Sequence, residues 1–402
     1  MTRTREGVVG YRLPDEVHLE GVAGPAGQRP WLGLPLHERQ DRALIEAGVR
    51  PTEEVPDPQL ARIVMRADAA VTHHAVAALA DRGAELGEDI RWVTGGRSGG
   101  FAEELGLGDS GPLLAWLAPG GPVTAARMAA ARPVEFEPNE RLFELPMPRE
   151  GAGVDVLELP LTERLVLPTA HWLQLLWANL LGLAPFLWRH LAGRNVAEVC
   201  WRLFWAALRA RSAQPLRVGA QLNRIGRGCA IHPTAVVEGC WLGEGVTVGA
   251  GAVLRASVLA DGASVEDLAM VEGCVFGPGA KAQRQAMVKY SVLCERASVG
   301  GVVQLGVIDR DAAVKRSATL MDQGLGQGVQ VLARGQRVAA PIGLAGVCVG
   351  EGTTIGAHVA VAPGRCVPPR LQVMPPPGDV LRRIPDGLSG QVVVVDGSLE
   401  PL

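Results

Sequence analysis

IGRGCAIHPTAVVEGCW (225–241) runs without a gap into LGEGVTVGAGAVLRASV (242–258), LADGASVEDLAMVEGCV (259–275), FGPGAKAQRQAMVKYSV (276–292) and LCERASVGGVVQLGVID (293–309). Each line holds 17 residues and divides six, six, five. Aliphatic residues open successive sub-blocks: Ile225, Ile231, Val237, then Leu242, Val248, Leu254, then Leu259, Val265, Val271. Gly, Ala and Ser fill the corners between them. A block of that kind is a short strand plus a turn, and three blocks make one triangular coil. A single coil cannot bury its apolar face, but a stack of coils about 4.8 Å apart can. Residues 17 apart then lie above one another, so Cys240, Ser257, Cys274 and Ser291 form one ladder of small inward packers.

A second stretch, VGEGTTIGAHVAVAPGRCV (349–367), repeats every six residues at Val349, Ile355, Val361 and Val367. Between about 300 and 345 no clean period is visible, and GLGQGVQ (324–330) predicts an irregular arm. These lines resemble the hexapeptide repeat of left-handed parallel β-helices, over roughly 225–308 and 349–367. The 17-residue coil is similar to the β-helices fused to sugar-phosphate nucleotidyltransferases. Handedness is implied by that resemblance alone.

Ahead of the repeat lies a chain with different punctuation. Val17 to Leu19 and Gly21-Val22 suit the end of a strand, followed by a Gly/Pro turn. Leu36 to Val49 predicts a helix with Leu36, Ala43, Leu44 and Ala47 on one side, ended by Gly48. Arg62 to Met65 is a short apolar strand, Thr72 to Leu79 a capped helix, and Ile90 to Val93 a third strand. This order suggests a doubly wound α/β sheet, whose ligands sit at the carboxyl ends of the strands. Gly95-Gly96-Arg97-Ser98-Gly99-Gly100 is expected as a flexible loop. His73-His74 are adjacent, diverge by about 100° on a helix and so make a poor metal pair on its surface.

In that setting VAGPAGQR (22–29) resembles the nucleotidyltransferase signature L-A-G-G-x-G-x-R, and WLGLPLHERQDRALIEAGV (31–49) is similar to the segment that follows it. The resemblance implies phosphate approach at Gly24 and Gly27, a charge clamp at Arg29, and a magnesium ligand at Asp68. The sequence also departs from the pattern. Pro25 stands where a second glycine would offer an N–H. The Pro-Lys after the Arg is missing, and no second metal-binding Asp is identifiable.

Between the two regions lies a tryptophan-rich stretch, in which five of the nine tryptophans fall between Trp172 and Trp205. From Leu165 to Trp188 there is no charged residue, although His171, Gln174, Asn179 and Pro185 interrupt the run. Three readings compete: two helices packed between domains or subunits, a hairpin lying on a membrane surface, and a membrane span. The second half opens with Asn195 and Glu198 as a cap pair, then mixes Arg202, Arg209 and Arg211 with Trp201, Phe204 and Trp205.

The totals set outer limits. A 402-residue chain predicts more than one domain. A net charge of −3 gives no support to nucleic-acid binding. Seven cysteines without a C-x-x-C pair read as reduced thiols, and the start lacks an apolar secretory segment, so a cytoplasmic location, peripheral to a membrane at most, is expected. The expected division is a nucleotidyltransferase-like α/β domain at 1–160, a Trp-rich helical segment at 161–215, a β-helix at 216–370, and a tail at 371–402 with one strand at Gln391 to Val395.

Three functional readings follow. The first is a nucleotidyltransferase-derived, non-catalytic scaffold or regulatory protein that self-assembles or docks on a membrane through Trp172–Trp205. The second is an active enzyme, with Mg²⁺ on Asp68 and Arg29 steadying a nucleotide and a sugar phosphate. The third puts acyl transfer on the β-helix, where only His232 and His358 are available as a base within the regular repeats. A homo-oligomer is expected under all three.

Overall fold

A computed structural model describes residue 5 and residues 7–14, 25–105, 111–146, 156–193, 196–211, 214–324, 328–376, 381, 383–385 and 392–401. Val17 to Val22 and Gly24 therefore lie outside the described residues. The first strand that is described, β1 (Val8–Arg12), lies upstream of the strand expected before the Gly/Pro turn. There follow α1 (Leu36–Glu46), β2 (Arg50–Thr52), β3 (Ala61–Met65), β4 (Ala69–Val71), α2 (His73–Leu86), β5 (Ile90–Thr94), α3 (Gly96–Leu105), β6 (Leu114–Leu117), α4 (Ala125–Ala130) and β7 (Arg132–Phe136).

Six of these strands form one sheet in the order β2-β1-β3-β6-β5-β7. The pairs β1–β2, β1–β3 and β5–β7 are parallel, whereas β6 runs antiparallel to both β3 and β5. The α/β sheet expected here is thus present, and it is mixed, with one antiparallel strand at its centre. Strand β6 is buried at every position, as a central strand covered on both faces must be. The glycine segment at 95–100 is also not a loop. It opens α3, because Glu140 accepts hydrogen bonds from the Arg97 amide (3.0 Å) and from the Ser98 amide (2.8 Å) and hydroxyl (2.7 Å). A carboxylate at a helix start satisfies its unpaired donors and complements its dipole. Glu140 lies far along the chain, so this cap has no local sequence signature.

The second half is a parallel β-helix of three sheets with eight, eight and seven strands. The first sheet runs from Arg224–Ile225 through Trp241–Leu242, Val258–Leu259, Val275–Phe276, Val292–Leu293 and Val307–Ile308 to Cys348–Val349 and Cys366–Val367. Its register advances by 17 residues per coil, as Trp241 faces Val258 and Val258 faces Val275. The fifth coil is shorter. Val292 pairs with Val307 and Ser298 with Ala313, a step of 15. The small-residue ladder therefore passes from Ser291 to Gly306, whose amide donates to the Ser291 hydroxyl at 3.1 Å. Regular coiling lasts to Thr319–Leu320, so the departure begins after residue 320 instead of near 300. The excursion carries a hairpin, Gln330–Ala333 with Gln336–Ala339, before the coil resumes at Cys348.

Alternation along the first sheet joins the two halves. Leu242, Leu259, Phe276, Leu293, Ile308 and Val349 point into the β-helix interior. Their neighbours Val258, Val275, Val292, Val307 and Cys348 face outward and are still buried. They pack in one cluster with α5 (Trp172–Leu187), Trp31, Leu32 and Leu36 from the α/β unit, and Val329, Val331 and Leu344 from the excursion. Helix α5 is buried at nearly every position, and Trp172 and Trp177 are 1% and 2% exposed. The polar residues that interrupted its apolar run fix it in place. Asn179 accepts from the Leu32 amide at 2.8 Å and donates to Pro30 O and Leu175 O. Gln174 donates to Leu105 O, and the His171 ring contacts Leu332 O at 3.1 Å. Among the described residues no helix is long and apolar enough to cross a membrane.

Helix α6 (Val196–Ala210) follows a five-residue π-helical turn, Trp188–Ala192. Only Ala206 on it is buried, with Val199, Leu203, Ala207 and Ala210 packed against the core. The large residues face the other way: Trp201, Phe204, Trp205 and Leu208 are all exposed. In the tail, Val392–Val395 pairs with Ser398–Pro401, while Gln391 is outside the described residues.

Candidate functional site

The Gly/Pro turn becomes a 3₁₀ turn over Ala26–Gln28, with Pro25 extended just ahead of it. Ala26 and Gly27 are buried. The Gly27 carbonyl faces His37 Nδ1 at 2.7 Å, and Arg29 O accepts from the Leu36 amide at 2.9 Å, so the turn is folded onto the start of α1. The chain then reverses through Gly33, whose φ of +84° suits glycine. A Cβ there would lie 2.7 Å from Val258 Cγ1 of the β-helix.

Arg29 is 4% exposed. Its Nη1 donates to Oδ1 of Asp309, a fully buried carboxylate on the β-helix 280 residues away. The Arg310 amide donates to the same oxygen at 2.7 Å. A desolvated pair of this kind holds only while both partners are present, since removing one strands the other charge in the interior. The side chain expected to clamp phosphate is thus engaged in a bond between the two halves of the molecule.

Asp68 sits just beyond the end of β3, as a strand-end metal ligand would, but it too is fully buried. Arg66 donates to both of its oxygens, from Nε at 2.8 Å and Nη2 at 2.5 Å, and the Asp68 carbonyl accepts from the Thr169 amide and hydroxyl. Among the described residues no three His, Cys, Asp or Glu side chains gather in a metal-holding group. The residues present do not fit Mg²⁺: both Asp68 oxygens are turned to a guanidinium, and no second carboxylate joins them. Of the four expected site residues, Gly24 is outside the described residues, and neither Arg29 nor Asp68 has the other among its charged partners.

The β-helix histidines are not gathered with other chemistry. His232 is exposed and its Nδ1 lies 2.9 Å from the hydroxyl of Thr234, two residues on. His358 is an exposed corner residue with φ of 62°. The ladder cysteines are buried, and burial pushes the thiols of Cys240 and Cys274 up to about 12, which leaves them protonated and inert. Their Sγ atoms donate to backbone carbonyls of their own coils.

One concave site was not legible in the sequence. Helix α1, the start of α2 and the turn after α5 enclose a cleft lined by Arg39, Arg42, Glu46, His73, His74 and Arg189, with His190 and Glu163 at its edges. The adjacent histidines, expected on a plain helix surface, are half-buried there with ring centroids 3.8 Å apart. Burial, the neighbouring His74 and Arg189 pull His73 down to about 3, and burial takes His190 to about 4. Arg39, held over the Phe186 ring at 4.5 Å and donating to Trp31 O, is pulled by burial to about 9.

No family model matches the chain, and no curated protein matches it. Among solved structures, a Bacillus cereus protein described as a candidate acetyltransferase is similar over 36% of this chain and 70% of its own, at 13% identity and a TM-score of 0.16. A likeness that slight carries no argument about fold or chemistry.

Proposed function

We propose that this chain is a non-catalytic scaffold or regulatory protein, derived from a nucleotidyltransferase-like architecture, that self-associates through the outer face of α6. The observation that carries the reading is the Arg29–Asp309 pair. Arg29 is the one strongly charged residue of the signature-like turn, and it is committed to holding the α/β unit on the β-helix. The closed Asp68–Arg66 pair supports the same reading. Left-handed coiling of the β-helix, implied by the hexapeptide resemblance, belongs to this proposal as well.

The association surface is argued from α6. Trp201 and Trp205 meet edge to face at 5.6 Å, as do Phe204 and Trp205 at 5.8 Å, while Val196 and Leu208 extend the exposed apolar surface. A helix that turns aliphatic residues inward and aromatic ones outward leaves a patch that water does not favour. Aromatic anchors of this kind dominate protein interfaces. Isothermal titration with each nucleoside triphosphate plus Mg²⁺ tests the first part, with no binding expected. Sedimentation tests the second, with an oligomer expected that dissociates in Trp201→Asp. Saturable, Mg²⁺-dependent nucleotide binding, or a monomer at all concentrations, would sink the reading.

A further inference from the structure

The cleft beside α2 is a second feature, independent of the scaffold reading. Its groups come from four elements. Helix α1 supplies Arg39, Arg42 and Glu46, α2 supplies His73 and His74, the segment before residue 166 supplies Glu163, and the turn after α5 supplies Arg189 and His190. Glu46 is engaged, with Arg189 Nη2 at 3.1 Å and His73 Nδ1 at 3.5 Å, and Glu163 lies 3.5 Å from His74 Nε2. Two carboxylates thus face three arginines and three histidines.

The start of α2 adds to this imbalance. Thr72 occupies the N-cap but turns its hydroxyl away, donating to Glu163 O at 2.6 Å, and the first turn holds no acidic residue. The helix runs 14 residues, and its first residues, His73 and His74, line the cleft, so its positive end lies beside this space. The Nε of Arg189 is buried without a hydrogen-bond partner. Trp31, Leu32, Pro185 and Phe186 add apolar surface to the lining.

We propose that this cleft binds a phosphomonoester, its phosphate held by Arg42, Arg189 and the first amides of α2 and its organic part laid against Trp31 and Phe186. Cationic groups and apolar side chains line the same cavity, and a phosphomonoester offers a partner to each. An anion there also favours protonation of His73, His74 and His190, whose charged forms are otherwise suppressed, so binding takes up protons.

The test uses the full chain and phenyl phosphate as probe, followed by isothermal titration at pH 7.5. Saturable one-to-one binding is expected, tighter than that of inorganic phosphate. Arg42→Gln, an exposed position that leaves the fold intact, should weaken it about tenfold, the loss of one charged hydrogen bond. His73→Gln should weaken its pH dependence, with His74 and His190 supplying the rest, read with sulfate, whose charge is constant between pH 5.5 and 8 and whose affinity should rise toward pH 5.5. Absence of saturable binding to a folded chain overturns the proposal. So does binding that both substitutions leave unchanged, and inorganic phosphate binding as tightly as the ester would remove the apolar half of the site.

Discussion

Helices α5 and α6 are neighbours in the chain, each carries two tryptophans, and they are opposite in fate. Helix α5 is apolar on nearly every side and buried at nearly every position, between Trp31, Leu36 and Phe101 of the α/β unit and the outer face of the β-helix. Helix α6 carries its apolar residues on two sides: Val199, Leu203 and three alanines face the core, and the aromatic ones face out. The difference lies in what each polar residue does. His171, Gln174 and Asn179 reach backbone groups of the α/β unit, the excursion and α5 itself, which makes their burial affordable. Arg202, the polar residue on the inner part of α6, reaches only Leu191 O and Glu198.

Removing bulk from each helix is the sharpest way to break this contrast. Trp177→Ala in α5 empties a site that is 2% exposed and touches the Phe101 ring edge to face, and should cost about 3–5 kcal/mol in urea unfolding. Asn179→Ala leaves the Leu32 amide and Pro30 carbonyl without partners and should cost about 1–3 kcal/mol. Trp201→Ala in α6, more than half exposed, should change the stability of the dissociated chain by about 0.5 kcal/mol or less while weakening association. If Trp201→Ala destabilised a dissociated chain as much as Trp177→Ala, the two helices would not differ as described.

A pH dependence follows from the cleft between α1 and the turn that links the two helices. His73 and His190 titrate near 3 and 4 in the fold, against 6.5 in an unfolded chain. The unfolded state therefore binds more protons between those values. Stability is complete above about pH 6.5 and falls as pH drops toward 4. His73→Gln should flatten that part of the profile, measured by thermal unfolding between pH 4 and 7.

The sequence shows the β-helix because its period is local: every 17-residue line repeats the same pattern, and the register follows. It does not show the 15-residue coil, since VGGVVQLGV reads as continuous hydrophobic pattern under either step. The α/β elements were visible as helices α1 and α2 and strands β3 and β5, because each has a period and a stop signal. The antiparallel β6 was not, because strand direction is set by connections and not by composition. Arg29 and Asp68 were visible as residues of interest at a turn and a strand end. Their partners were not: Asp309 is 280 residues away, and Arg66, though near in sequence, gives no sign that its guanidinium folds back. The cleft at His73 was hidden for the same reason, as its arginines and histidines come from three separated segments.

The central claim is that Arg29 is a structural bond to Asp309. A double-mutant cycle in urea unfolding, with Arg29→Met, Asp309→Leu and the pair together, tests it most directly. The account predicts that each single substitution costs about 3–5 kcal/mol and that the double mutant recovers much of that loss, because no charge is left buried alone. Additive losses, or an Arg29→Met chain that is fully stable but loses nucleotide binding, would contradict it.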